Sequence, residues 1–113
     1  MIRRIVSNSP LEDELALQIR AFELLPPTRE FKYAIPGRRF KFDFAWEAER
    51  LLVEVQGATY VRGGHSTGTG IARDMEKLNL ATLAGWRVLQ FDSKMIKTGA
   101  AIEIINQALE ITK

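Results

Sequence analysis

Two short apolar runs in the middle of the chain each carry one carboxylate, and this pattern restricts what the chain can fold into. The runs are residues 42–46 and 52–57, and they contain Asp43 and Glu54 with ten residues between the two acids. Aromatic and β-branched residues at such density favour strands. A carboxylate inside an apolar strand is costly to bury unless a cation lies against it. Two of them on paired strands therefore predict a divalent-metal site.

The composition is that of one ordinary globular domain, which we take to span residues 1–113. Of these residues 46% are hydrophobic and 27% are charged, as in chains that bury a single core. The absence of cysteine excludes disulfides and thiolate metal sites. No run approaches the roughly 18 apolar residues of a membrane span, and the start lacks a signal peptide's apolar core, so we expect a cytoplasmic protein without a membrane partner.

A first helix is predicted to begin at Ser9. Serine is a good N-cap, Pro10 suits the first helical position, and Glu12 completes a capping box. Apolar residues then recur at helical spacing as far as Phe22, and the two prolines at 26–27 are expected to stop the helix. Glu12 shares the side of that apolar stripe, so its carboxylate is predicted to point towards the sheet.

Alternation with period two predicts three strands after this helix. The first contains Phe31 and Tyr33. The second directs four aromatic residues to one face and Asp43 to the other; the four are Phe40, Phe42, Phe44 and Trp46. The third directs Glu54 and Gln56 away from its valines. A hairpin of the second and third strands would place Asp43 beside Glu54 on one surface.

The second half of the chain predicts a loop, a helix, a strand and a closing helix. Residues 57–70 form a glycine-rich loop that is long enough to suggest a functional role. A helix over 71–84, with Met75, Leu78, Ala81 and Thr82 inside, precedes a strand over 86–91 and one helix over 94–111. The loop lacks the Gly-Lys-Ser/Thr ending of a nucleotide-binding loop, so no nucleotide cofactor is expected. The order α-β-β-β-α-β-α predicts an α/β fold with a mixed four-stranded sheet flanked by helices.

These motifs resemble the signature of the PD-(D/E)XK nucleases over nearly the whole chain. Asp43, a spacer of ten and Glu54-Val55-Gln56 match its strand pair, and Glu12 matches its helical acid. The match is closest to the small branch related to very-short-patch-repair endonucleases, which includes uncharacterised phage and bacterial proteins. In that branch a histidine loop, an Asp-x-x-Lys/Arg helix and a Gly-Trp-x-Val-Leu strand follow, as in His65, Asp74 with Lys77, and residues 85–89 here.

The resemblance implies a restriction-endonuclease-like fold and a magnesium-dependent DNA endonuclease, with manganese as a second usable metal. Asp43, Glu54, the carbonyl of Val55 and Glu12 would hold the metal through oxygen ligands. The lysine of the signature is replaced by Gln56, which would orient water, and Lys77 is the predicted source of the missing positive charge. By analogy with the family, hydrolysis leaves a 5′-phosphate, and one site nicks one strand, so cutting duplex or branched DNA on both strands requires a homodimer.

Polar side chains around the carboxylates are the candidate DNA contacts: Arg38, Arg39, Lys41, Arg62, His65 and Arg73. Phosphate contacts of this kind provide affinity and register without sequence information.

Two alternative functions stay open. One is a non-catalytic or weakly active nucleic-acid-binding protein on the same fold, favoured by Gln56 and by a formal charge of +2. The other is an RNA nuclease, which uses the same chemistry. If the protein is phage-encoded, its place is the host cytoplasm.

Overall fold

A computed structural model of the protein describes residues 9–57 and 68–112. Arg62 and His65, predicted to contact DNA, and most of the predicted 57–70 loop lie outside the described residues. The elements are α1 (Pro10–Ala21), β1 (Thr28–Phe31), β2 (Phe42–Trp46), β3 (Leu51–Val55), α2 (Gly68–Leu83), β4 (Arg87–Phe91), α3 (Ser93–Thr98) and α4 (Ala100–Thr112). Within these ranges no helix combines the length and the apolar character needed to cross a membrane.

The four strands form one mixed sheet in the order β1-β2-β3-β4. The β1–β2 and β2–β3 pairs are antiparallel, and β3 and β4 are parallel. A four-residue turn joins β2 to β3, as antiparallel strands allow, whereas the parallel pair needs the longer crossover that contains α2. The predicted α/β class and mixed four-stranded sheet are confirmed.

Two apolar cores lie on the two faces of this sheet. The first core packs α1, α3 and α4 against β2, β3 and β4, with Leu15, Val53 and Ile105 fully buried. The second core packs α2 against the opposite face through Ala81, Leu52 and neighbouring aromatic residues. Residues 51 and 53 of β3 enter the first core and residue 52 the second, as the predicted alternation in this strand requires.

The start of α1 agrees with the prediction, but its end and the closing helix do not. Ser9 Oγ accepts a hydrogen bond from the Glu12 N–H at 3.2 Å. The helix ends at Ala21 because Glu23 takes a left-handed conformation at φ 56°, before the prolines that were expected to stop it. The single closing helix is wrong: Gly99, at φ 88°, separates α3 from α4, since glycine adopts this conformation without a steric penalty.

Three smaller expectations in the strands and in α2 are also corrected. Tyr33 lies beyond the end of β1 and is 80% exposed. Helix α2 begins at Gly68 rather than at residue 71. Met75 and Thr82 are exposed instead of inside, and Leu80 packs against the second core. Apolar side chains occur on both the exposed and the buried sides of α2, with Ile71, Met75 and Leu83 exposed, so periodicity alone did not identify its buried face.

The alternation of β2 fails at Asp43. Phe42 packs in the second core, whereas Phe44 and Trp46 pack in the first, although residues two apart share a face in a regular strand. The register pairs Phe31 with Phe42 and Arg29 with Phe44, so Glu30 lies across from Asp43. Glu30 has a left-handed φ of 53°. The side chains of this strand pair therefore change sheet faces at Glu30 and Asp43. The predicted aromatic face is wrong for Phe40 and Phe42, which both pack in the second core.

Candidate functional site

Asp43 lies where β2 and β3 separate. Their backbone pairing runs from Trp46 and Leu51 to Phe44 and Val53. Instead, Asp43 Oδ2 accepts a hydrogen bond from the backbone N–H of Val55 at 2.7 Å. The carboxylate thus takes the place of a strand carbonyl as the acceptor, and this charge-assisted bond holds Asp43 beside the end of β3.

Glu54 pairs with Lys77 on the face that α2 covers. Lys77 Nζ donates to Glu54 Oε2, and the two side chains are only 16% and 15% exposed. The same Nζ lies 4.5 Å from the centre of the Phe42 ring, on the side to which β2 turns this ring at Asp43. Burial raises the pKa of Glu54 to about 7 even though Lys77 opposes the rise, and the charge of Asp43 adds to it.

Glu12 approaches from α1, on the opposite face of the sheet. It is 4% exposed, and among the described residues its Oε2 has no hydrogen-bond partner. Arg29 Nη2 lies 3.7 Å from that oxygen. Burial raises the pKa of Glu12, the charge of Asp43 raises it further, and Arg29 opposes both effects. The prediction that Glu12 lies on the buried side of its helix is confirmed.

Arg29 is a component of the site that sequence reasoning missed. Its guanidinium reaches Glu12, bonds Asp13 Oδ1 at 3.1 Å and lies 5.1 Å from the centre of the Phe44 ring. The signal available in the sequence was indirect: a buried acid needs a nearby cation, and Arg29 is the basic residue at the start of β1.

The three carboxylates form one electrostatic group rather than one ready-made ligand set. Asp43 lies between Glu12 and Glu54 and raises the pKa of both. Within residues 9–57 and 68–112, however, no three histidine, aspartate or glutamate side chains come close enough to hold one metal ion. Magnesium usually takes one or two carboxylates from the protein, with water and substrate phosphate completing its shell.

Gln56 and Val55 lie at the end of β3, next to these carboxylates. The Gln56 N–H donates to the Phe91 carbonyl at 2.8 Å, which continues the β3–β4 edge by one hydrogen bond. The Gln56 side chain is half-buried. Its amide differs from the lysine of the nuclease signature because it donates and accepts hydrogen bonds without carrying charge.

Two of the predicted DNA contacts meet on the α2 side of the sheet. Arg38 and Arg73 both face the Phe40 ring, at 4.7 and 5.2 Å from its centre. Arg73 is one turn before Lys77 on α2, so the two cations share a helix face. Arg39 is exposed, and Lys41 lies 3.8 Å from Glu30. Arg38 also pairs with Glu76 Oε2 at 3.1 Å. A row of basic side chains therefore extends from the carboxylates along this face, with acidic partners on some of them.

In comparisons with protein-family models, with curated proteins and with solved structures, no significant match to this chain was found. The resemblance to the PD-(D/E)XK signature stays a prediction from the sequence. The functional interpretation accordingly depends on the chemistry of the residues that the fold brings together.

Proposed function

We propose that this protein is a metal-dependent DNA endonuclease of the PD-(D/E)XK type with a restriction-endonuclease-like fold. The observation that carries the proposal is the group of Asp43, Glu54 and Lys77 at the opening between β2 and β3. Two carboxylates and an ammonium are the charges needed to hold a divalent cation and to neutralise a reacting phosphate. The row of arginines beside them supports a polyanionic substrate.

The carboxylates fit a divalent cation because their negative charge is incompletely neutralised within the protein. Burial raises the pKa values of both Glu12 and Glu54, and repulsion by Asp43 adds to each rise. The buried Oε2 of Glu12 has no hydrogen-bond partner in the described part of the chain. A cation on Asp43 and Glu54, with the Val55 carbonyl and Glu12 as nearby oxygen donors, would offset this charge. When bound, Mg²⁺ or Mn²⁺ would polarise the phosphate and acidify an attacking water.

The remaining residues have distinct roles in this proposal. Lys77 has three N–H donors. On substrate binding, one of them would leave Glu54 and donate instead to an oxygen of the scissile phosphate, where its charge would offset the charge that develops in the reaction. The Gln56 amide would orient the attacking water. Arg38 and Arg73 would bind phosphates away from the cut and set the register of the strand. One such site cuts one strand, so cleavage of both strands requires a homodimer.

A second candidate function, nucleic-acid binding without cleavage, is favoured by one observation. Lys77 already pairs with Glu54, and Gln56 stands where the nuclease signature has its lysine. In this case the lysine would replace the metal as the counterion of Glu54, and binding to nucleic acid would not depend on divalent cations.

A cleavage assay with Mg²⁺, Mn²⁺ or EDTA tests the proposal. Its labelled DNA substrates are a supercoiled plasmid, a single strand, a flap and a four-way junction. We expect metal-dependent cleavage that Asp43→Ala and Glu54→Ala each slow by about 100-fold or more. Glu103→Ala, which removes an exposed carboxylate from α4, is the matched control and should cleave like the parent. Cleavage that persists in Asp43→Ala would refute the assignment. A parent protein that cuts nothing yet binds DNA equally well in EDTA would establish the second function instead.

A further inference from the structure

The connection between β1 and β2 carries an exposed aromatic ring among basic side chains. Residues 32–41 include Lys32, Arg38, Arg39 and Lys41 and contain no acidic residue. All four basic residues are exposed, with Arg38 paired to Glu76 at 3.1 Å and Lys41 lying 3.8 Å from Glu30. Tyr33 is 80% exposed, so its ring contributes little to either core. An exposed ring of this kind is available for a contact outside the protein.

The Tyr33 ring is nevertheless held in place by contacts on its protein-facing side. It meets the Phe31 ring edge to face, with 5.8 Å between the ring centres, and Phe31 packs against Trp86 at the same separation. Ala34, the next residue, is buried, and its carbonyl accepts a hydrogen bond from Trp86 Nε1 at 2.9 Å. The chain is thus anchored on both sides of Tyr33. A ring fixed in this way loses little conformational freedom when a ligand stacks on it.

The Tyr33 ring is connected to the candidate site through the sheet. Phe31 is the register partner of Phe42, whose ring contacts Lys77, and Asp43 follows Phe42 in the chain. A DNA strand bound at Tyr33 would therefore lie along the row of basic side chains that extends to Asp43 and Glu54. In a duplex both faces of each base are already stacked, so the ring is suited to an unpaired base.

We propose that Tyr33 stacks on an unpaired base of single-stranded DNA while the basic residues of the β1–β2 connection contact its phosphates. The inference deepens the proposed nuclease function, on which it depends for the route of the strand. It assigns the substrate class: DNA with unpaired nucleotides next to the cut, as in a single strand, a flap or an open junction. Aromatic stacking within a positively charged surface is the usual way in which proteins bind such strands.

Fluorescence anisotropy in EDTA measures binding without cleavage. The probes are a fluorescein-labelled oligothymidine of about 20 nucleotides and a duplex of equal length. Tyr33→Ala should weaken single-strand binding by about 5- to 100-fold, the range expected for one lost base stack. Tyr33→Phe keeps the ring and should bind like the parent. The control Phe22→Ala removes a ring that is 62% exposed at the end of α1, on the other side of the sheet, and should change nothing. Duplex binding should be the same in all four proteins.

The outcomes separate this inference from the nuclease proposal. If Tyr33→Ala binds the single strand as tightly as the parent, or loses duplex binding to the same extent, the stacking site is refuted and the nuclease stands. If single-strand binding depends on Tyr33 but no metal supports cleavage, the stacking site stands and the nuclease proposal fails. A parent protein that binds no single strand would overturn the stacking site.

Discussion

Replacing Asp43 by asparagine and by alanine separates the charge of this side chain from its hydrogen bond. Asparagine keeps an oxygen that can accept from the Val55 N–H, whereas alanine leaves that donor without its 2.7 Å partner. Both variants remove a negative charge that raises the pKa of Glu12 and of Glu54. The stabilities of the two variants relative to the parent therefore show whether the candidate site is arranged for function at the expense of stability.

The expected magnitudes follow from these two effects. The bond that asparagine can keep is neutral, and a neutral hydrogen bond contributes about 0.5–1.5 kcal/mol, so Asp43→Ala should be less stable than Asp43→Asn by about that amount. The relief of repulsion on two neighbouring carboxylates is on the order of 1 kcal/mol, as expected for like charges a few ångströms apart near a protein surface. Asparagine also forms a weaker, neutral hydrogen bond, which offsets part of this gain, so Asp43→Asn should be at least as stable as the parent at pH 8, while losing cleavage.

The pH dependence provides an internal check. The pKa values of Glu12 and Glu54 are higher in the folded protein than the ordinary value of 4.5, and that of Glu54 reaches about 7. Between these values the folded state binds more protons than the unfolded state, so stability falls as the pH rises from 4.5 to about 7. Near pH 5 Glu54 is largely protonated, so less repulsion remains to be relieved and the advantage of Asp43→Asn should shrink. The difference between the asparagine and alanine variants depends less on these charges and should persist.

Urea unfolding in EDTA at about pH 5 and pH 8 measures these differences. Trp46 and Trp86 are 2% and 5% exposed, so their fluorescence reports the loss of the first and the second core. Glu103→Gln, which removes an exposed charge from α4, is the control and should be neutral at both pH values. The reasoning would be refuted if Asp43→Asn were less stable than the parent at pH 8, or if asparagine and alanine were equally stable.

Two further predictions concern groups outside the strand opening. Arg29→Met leaves the buried Glu12 without the cation at 3.7 Å and should lower the free energy of unfolding at pH 8 by about 2–4 kcal/mol. Adding Glu12→Gln should restore most of this loss in the same urea titration, and a double variant as unstable as Arg29→Met would contradict the pairing. Gly99→Ala should cost about 1 kcal/mol, or about 4 °C in the thermal midpoint, because an alanine at φ 88° is strained although its Cβ meets no atom within 4 Å. An unchanged midpoint would show that the α3–α4 junction adopts another conformation without cost.

Much of the architecture follows from local patterns in the sequence. The N-cap at Ser9, the strands around Asp43 and Glu54 and the order of the elements up to β4 depend on neighbours along the chain, and the structure agrees with each. The closing helix was the exception, because a single glycine within an otherwise helical pattern does not show by itself that it takes φ 88°. The α/β class and the residues that supply the carboxylates were thus determined by the sequence alone.

The arrangement of the site was decided by tertiary structure. Strand alternation assumes regular backbone angles, and the left-handed Glu30 lies across from Asp43, where β2 sends Phe42 to the α2 side. No local pattern signals a left-handed glutamate. The partners of the buried acids are also distant in sequence: Lys77 reaches Glu54 from a crossover helix, and Arg29 reaches Glu12 from an edge strand. Which cation neutralises which carboxylate depends on how helices dock on the two faces of the sheet, because a charge interacts through space and not along the chain.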